Sequence, residues 1–484
     1  MADSSAPQAH SDRVRWEAFA ICVAVAALTI LDISKINVGL PTIEHSLHGG
    51  STELQLIVAG YALAFGLLLV PSGRLGDIHS RKMMFVIGLS AFTLASLLCA
   101  LAPNIETLVI GRLLQGAAAG IQMPQVLGLI QQLFQGPARG RAFGMFGAII
   151  GISTAIGPTL GGVLIAIGGE TDGWRLLFWM NVPLGVLALI FALRLLPAQQ
   201  THEGTRTQLD LVGILLIAIA TFCLMLPFVL TTGGPDDNPN RWYWLIGFVL
   251  GSAVFVWWER RYLAQGKSPV VQFALFKLSS YRNGLLIGLA YFAGAPAMFL
   301  LIVLFVQDGL GFSPVIAGMV SIPFALASAV ASWLGGRLVN RFGRSLVLLG
   351  ALLAAGGFAL CLPIAEYAPK DAVPLLIAAA MLFAGFGGGL IISPNQTITL
   401  SEVPVTQGGV AGSVAQVAQR VGTAIGVAAG SSIFFSTIFR ERDAADQAGV
   451  YSDAFRSGLL VGIALLLMAA VFAALDLRSV RRAR

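Results

Sequence analysis

Four charged side chains stand inside long apolar runs of this sequence: Asp32, Lys35, Arg112 and Arg420. Each costs about 2.5–3.5 kcal/mol at the middle of a membrane helix, and ionisable residues kept there normally face the protein interior and mark a pathway. Asp32 and Lys35 are spaced to share one face of a helix. At a rise of about 1.5 Å per residue, Asp32 and Arg112 come to a similar level below the outer ends of their segments, close enough to pair. For a carboxylate buried beside cations, desolvation favours the acid form and the cations favour the anion. A change of partner or of water access at Asp32 would therefore move a proton. The competing reading is a static ion pair that keeps the first segment in register. Arg420 falls near mid-depth of its own segment. Gln115, Gln122, Gln416 and Asn395 lie in or near the same layer, as candidate lining of a substrate cavity or as interhelical hydrogen-bonding groups.

Two further patterns carry chemistry of motion. The loop GRLGDIHSRKMM (73–84) sets Asp77 among Arg74, Arg81 and Lys82. An acid near a helix N-terminus is favoured by the dipole, and the spacing places Asp77 just ahead of the third apolar segment with an Arg to pair with. Gly73 and Gly76 let backbones approach, so the loop reads as a gating joint. Plain positive-inside anchoring is the alternative. The segment GISTAIGPTLGG (151–162) offers Gly151, Gly157, Gly161 and Gly162 as a face almost free of side chains. Pro158 removes one backbone hydrogen bond. That combination reads as a hinge or a seal against ion leak, or simply as a packing face.

Other chemistries are excluded. Cys22, Cys99, Cys223 and Cys361 all lie in apolar runs without a CxxC pair, so neither a disulfide framework nor a zinc site is expected. The only GKS, at 266–268, has Arg261 where a phosphate loop needs its first glycine. Glu44, His45 and His48 sketch a metal site no better than any exposed loop does. The sequence therefore predicts no enzyme, no metal, no cofactor and no ATPase subunit, with the proton gradient as the energy source.

The elements that must position these residues follow from composition. Of 484 residues, 56% are hydrophobic and 11% charged, against about 25% charged in soluble proteins. Lipid is the solvent for most of this chain, and an apolar stretch of about 20 residues spans the bilayer core. Fourteen stretches qualify. Lys and Arg concentrate in the loops of one side when both termini are cytoplasmic, which also accounts for the net charge of +6 without a nucleic-acid partner. The polar start and the interruption at Asp32 and Lys35 read as a retained first helix, not a removed signal peptide.

The chain also repeats itself. GRLGDIHSR (73–81) returns as GRLVNRFGR (336–344), bringing Arg337 and Arg344; TAIG occurs at 154–157 and 423–426; a Gly-rich stretch ends at Pro124 and another at Pro394. Three matches in order at nearly one separation predict two six-helix pseudo-repeat bundles with two helices inserted between them. Such parallel repeats are a transporter architecture with the substrate site near the midplane. The expected divisions are an N-terminal tail (1–15), a six-helix bundle (16–200), a linker carrying the two inserted helices (201–282), a second bundle (283–476) and a basic tail (477–484).

With these motifs assembled, the sequence resembles the fourteen-helix drug:proton antiporters of the major facilitator superfamily. The likeness rests on LDISKINVGLP (31–41), GRLGDIHSRK (73–82), GRLLQGAAAG (111–120), GPTLGG (157–162), WRLLFWMNVPLG (174–185) and QDGLGFSPVIAG (307–318). It implies an all-α polytopic fold, alternating access, and efflux of amphipathic drugs or antibiotic-like molecules across a bacterial cytoplasmic membrane. It further implies Asp32 and Arg112 in proton coupling, Gly73, Arg74, Asp77 and Arg81 in gating, and Gly157 and Pro158 in the antiporter seal. Lys35 stands where the family usually has an apolar residue and Ser80 replaces a loop Gly. No acid besides Asp32 lies deep in a span, so the buried set sums to +2, which favours neutral, zwitterionic or anionic substrates over lipophilic cations. A proton-coupled transporter of an organic anion and a non-transporting membrane sensor on the same fold are the alternatives.

Overall fold

The computed structural model describes residues 6–197, 210–231, 237–441 and 447–483; parts of the expected tails, of the end of the first bundle and of the linker (1–5, 198–209, 232–236 and 484) lie outside them. Among the described residues the regular structure is entirely helical. Fourteen helices are long and apolar enough to cross a membrane: α1 Asp12–Leu47, α2 Glu53–Ile78, α3 Arg81–Ala100, α4 Ile105–Leu133, α5 Gly136–Gly169, α6 Thr171–Leu195 and α7 Leu211–Val229, then α8 Pro239–Ala264, α9 Ser279–Gly309, α10 Val315–Phe342, α11 Arg344–Tyr367, α12 Lys370–Thr399, α13 Val405–Arg440 and α14 Gly449–Arg478. Lipid supplies no partner for a free amide or carbonyl, so a chain this apolar satisfies its backbone within helices. The first and last helices run on into the expected tails, beginning at Ala6 and ending at Ala483.

Each half has its own core. Phe65, Phe85, Phe92 and Phe143 belong to the first, and Phe305, Phe358, Phe434 and Phe455 to the second. The halves meet along two seams, α2 against α13 and α5 against α10, which the repeat relates to one another. Small residues allow both approaches. A Cβ on Gly144 would lie 2.9 Å from the Cα of Gly336, and one on Gly73 would lie 2.7 Å from the Gly409 carbonyl oxygen. Helix α7 lies across the first seam, against both α2 and α13, while α8 packs on α7 and turns Val249, Leu250, Val254 and Trp257 outward. Trp242, Tyr243 and Trp244 ring one end of this hairpin, as interfacial aromatics do.

Candidate functional site

In the N-terminal half the charged residues converge. Arg112 on α4 donates from Nη1 to Asp32 Oδ2 at 2.6 Å and to Gln115 Oε1 at 2.6 Å, and from Nε to the Ile57 carbonyl at 3.1 Å. Ile57 sits in a π-helical turn of α2, Leu56–Gly60, a distortion that often marks functional sites. Lys35 Nζ lies 3.4 Å from Asp32 Oδ1 and donates to Asn181 Oδ1 at 2.6 Å. Asn181 Nδ2 donates to Asp32 Oδ1 at 2.7 Å and to Ser96 Oγ at 3.3 Å. Asp32 and Lys35 are 0% exposed and Arg112 1%. Asp32, Lys35 and Arg112 each thus find at least one polar partner on another helix or turn, as a buried charge requires.

The glycines of α5 form the bed of this cluster. A Cβ on Gly161 would lie 3.0 Å from the Lys35 carbonyl oxygen and 3.2 Å from its Cβ, and one on Gly157 would collide with Ser34. Gly151 faces Ala325 and Ala329 of α10 in the other half, while Gly162 has no neighbour within 4 Å. The small-residue face therefore splits between α1 and α10, and Pro158 sits inside the same continuous helix.

Beside the cluster lies a cavity of about 60 Å³ lined by Ile33, Ile36, Val58, Tyr61, Ala62, Phe65, Arg112 and Arg420. None of the polar residues expected to share a layer with Arg420 is among those that line this cavity. Gln115 joins the charge cluster and also donates to Ser96 Oγ at 2.8 Å. Gln122 bridges to Thr29 Oγ1 at 2.7 Å, and Gln416 is buried on α13. Asn395 lies near the end of α12, where it accepts from Arg344 Nη1 at 2.5 Å. Aromatic and aliphatic side chains of α1 and α2 wall the cavity in their place.

At the end that carries the Arg-rich loops, Asp77 corrects the expectation from spacing. It occupies the last turn of α2 and does not serve α3, whose N-cap is Ser80, accepting from Met83 N at 3.2 Å. The Asp77 carboxylate instead crosses to the other half and accepts from Gly409 N at 3.0 Å and Val410 N at 2.9 Å, in the first turn of the α13 helix. The dipole argument holds for a helix remote in sequence. Arg81 pairs with Asp77 at 2.7 Å and donates to the Gly128 carbonyl at 2.7 Å and, across the seam, to the Val405 carbonyl at 2.5 Å. Gln131 Nε2 adds a bond to the Leu400 carbonyl at 3.0 Å. A Cβ on Gly76 would collide with Gln125. These cross-half bonds all close the same end of the molecule.

Arg74 points to the inserted hairpin and not to Asp77, donating to Ser268 Oγ at 2.9 Å. Ser268 belongs to a strap after α8 that Glu259 holds, accepting from Val270 N at 3.3 Å and Val271 N at 3.2 Å. Val270 and Val271 are buried with Val70, Phe255 and Val410. Gln407 Nε2 donates to Gln272 Oε1 at 2.8 Å, so the strap touches both halves. Arg344 is ion-paired with Asp476 of α14 and donates to the Ser280 carbonyl at 2.7 Å. Arg337 stacks over Trp333 at 3.8 Å.

Asn181, Ser96, Tyr61 and Phe65 complete the site, although their types alone do not single them out. Asn181 carries one signal, a carboxamide in the apolar stretch WRLLFWMNVPLG. Glu259 and Asp476 are both 1% exposed within the ends of α8 and α14.

The family model described as Major Facilitator Superfamily matches residues 22–427. The chain is 34% identical to the "Probable actinorhodin transporter" of Streptomyces coelicolor over 88% of this chain and 73% of that protein. It is also 34% identical to the "Puromycin resistance protein pur8" of Streptomyces alboniger, over 88% and 83%. The crystal structure of the human organic anion transporter MFSD10 superimposes with a TM-score of 0.66 at 13% identity, covering 95% of this chain and 99% of that one, a likeness of fold alone.

Proposed function

The chain belongs to the Major Facilitator Superfamily and is a membrane transporter of small molecules, not an enzyme; on that premise we propose that it exports amphipathic, antibiotic-like compounds in exchange for protons. The observation that carries the reading is the sealed cluster in which Asp32 is shared by Arg112, Lys35 and Asn181. Protonating Asp32 removes the charge that holds both cations, so the contact of α1 with α4 and α6 loosens while α1 still rests on the Gly157 and Gly161 bed of α5. Helices packed through small residues slide at little steric cost, and Pro158 leaves a place for α5 to bend.

Alternating access then needs the closed end to open. That means withdrawing the Asp77 carboxylate from the α13 amides and Arg81 from the Val405 carbonyl. A proton moving down a potential of about 100 mV supplies roughly 2.3 kcal/mol, comparable with the net contribution of one or two such charge-assisted bonds. The kinship with proteins named for antibiotic transport and resistance supports efflux of such compounds.

Proteoliposomes loaded with a panel of cationic, neutral and anionic fluorescent amphiphiles test the reading. An imposed proton gradient is expected to drive at least one compound against the proton flow, and Asp32→Asn is expected to abolish that drive while leaving exchange without a gradient. Gradient-driven flux at the normal rate in Asp32→Asn, or flux with the protons, overturns it.

A further inference from the structure

Of the four charged residues in the membrane core, Arg420 alone is given no carboxylate among the described residues. Asp32, Lys35 and Arg112 satisfy one another. Arg420 donates no hydrogen bond among the described residues; its guanidinium faces the cavity and lies 4.6 Å from the centroid of the Phe65 ring. Phe65 stacks toward Tyr61, with centroids 6.3 Å apart and planes 23° from parallel. Tyr61 in turn has Arg112 at 4.2 Å from its ring centroid. Two rings on successive turns of α2 therefore stand between the substrate-side cation and the partner of Asp32. The Tyr61 hydroxyl, beside them, is buried without a hydrogen-bond partner.

An aromatic face compensates a desolvated guanidinium only in part, and a buried hydroxyl without a partner is costly. Both deficits are removed by one kind of ligand. A planar carboxylate takes charge-assisted, fork-like hydrogen bonds from Arg, and a phenolate takes charge-assisted ones on its single oxygen. An attached aromatic system stacks on Phe65 and displaces nothing polar from walls made by Ile33, Ile36, Val58 and Ala62. A cationic ligand would have to enter against both Arg112 and Arg420. The cavity, about 60 Å³ here, must widen to accept such a molecule, since drug-sized pockets run to about 300–1,000 Å³. We propose that the transported compounds are aromatic amphiphiles carrying an ionised acid group, which Arg420 binds while their rings lie against Phe65 and the Tyr61 hydroxyl supplies a further hydrogen bond. This inference rests on the efflux reading and assigns its substrate class. It also gives α2 a second duty: one face of that helix touches both the substrate's charge and Arg112.

The test is equilibrium binding to the detergent-purified full-length protein, with no gradient present. The probes are anthracene-2-carboxylate, its carboxamide and 2-(aminomethyl)anthracene, which share a ring system and differ in charge. The carboxylate is expected to bind about tenfold tighter than the carboxamide, with the amine weakest. Arg420→Gln is expected to bring carboxylate and carboxamide to parity, Arg420→Lys to keep part of the preference, and Phe65→Leu to weaken all three probes alike. Carboxylate binding to the wild-type protein that is absent, or no tighter than that of the carboxamide, overturns the proposal. So does a full preference surviving in Arg420→Gln shown folded by its thermal melt. If Arg420→Gln does not fold, the wild-type ratio and Arg420→Lys decide. Proton-driven flux is measured separately, so loss of the charge preference with intact antiport refutes the substrate class alone, and the reverse result refutes antiport alone.

Discussion

The two copies of the repeated loop, 73–81 and 336–344, share a place in the fold and differ in charge. In the first, Asp77 reaches from α2 to the amides that start α13 in the opposite half. In the second, the matching position is Asn340 on α10, whose Nδ2 would lie 3.5 Å from a Cβ on Gly140, near the start of α5. The geometry is duplicated; the carboxylate is not. The arginines that close the two loops differ likewise. Arg81 is held by Asp77 within its own loop and donates across the seam to Val405, whereas Arg344 turns inward to Asp476, Asn395 and Ser280 of its own half. Even the turns differ: Ser80 caps α3 with its side chain, where Gly343 uses a positive φ of 52°. Both seams rest on glycine contacts, and the first is latched by charge as well. On the proposed mechanism the charged seam is the gate, and the second seam, α5 with α10, is the bearing on which the halves rock.

Breaking the pair in the second loop is expected to give the largest effect, and on stability. Arg344→Gln takes the guanidinium from a buried carboxylate and should cost on the order of 3 kcal/mol, read as a lower melting temperature in detergent, with proton coupling retained in whatever protein folds. Lost coupling in a protein of normal melting temperature would reverse the assignment of the two loops. Next comes Asp77→Asn. It keeps the shape but loses the charge that meets the α13 amides, and should slow turnover about tenfold with substrate affinity changed less than about twofold. A pure loss of affinity would make Asp77 part of the binding site and not of the gate. The smallest effect separates the two first arginines. Arg74→Ala frees the strap at Ser268 and should slow transport about threefold, while Arg337→Ala, which gives up a stacking contact on Trp333, should change it less than about twofold. Equal slowing by both would erase the asymmetry.

Legibility in the sequence tracks how rare a residue is in its surroundings. Asp32 and Arg112 are readable as partners because a lone charge in an apolar run is conspicuous and helix rise converts position to depth. Asn181 and Ser96 are not, since neutral polar residues are common in membrane helices. Grouping Asn395 with the mid-depth Arg420 sets it too deep: it stands about one turn from the end of α12 at Thr399, within reach of Arg344. The partner of Asp77 is out of reach for a different reason. Its amide donors are 332 and 333 residues away, and a local spacing argument turns naturally to the next helix instead.

Hydropathy and charge along the chain are enough to set the solvent, the fourteen helices and the depth of most charged groups. These quantities depend on a residue and its near neighbours, because the cost of transfer into lipid adds up residue by residue. Partnership depends on helix rotation and on which helices lie side by side, and those follow from packing between segments distant in sequence. Only the folded bundle could decide that Asp32 has Asn181 as a third partner, that Asp77 belongs to α13, that the inserted hairpin straps the closed end, and that Arg420 faces an aromatic wall with no anion of its own among the described residues.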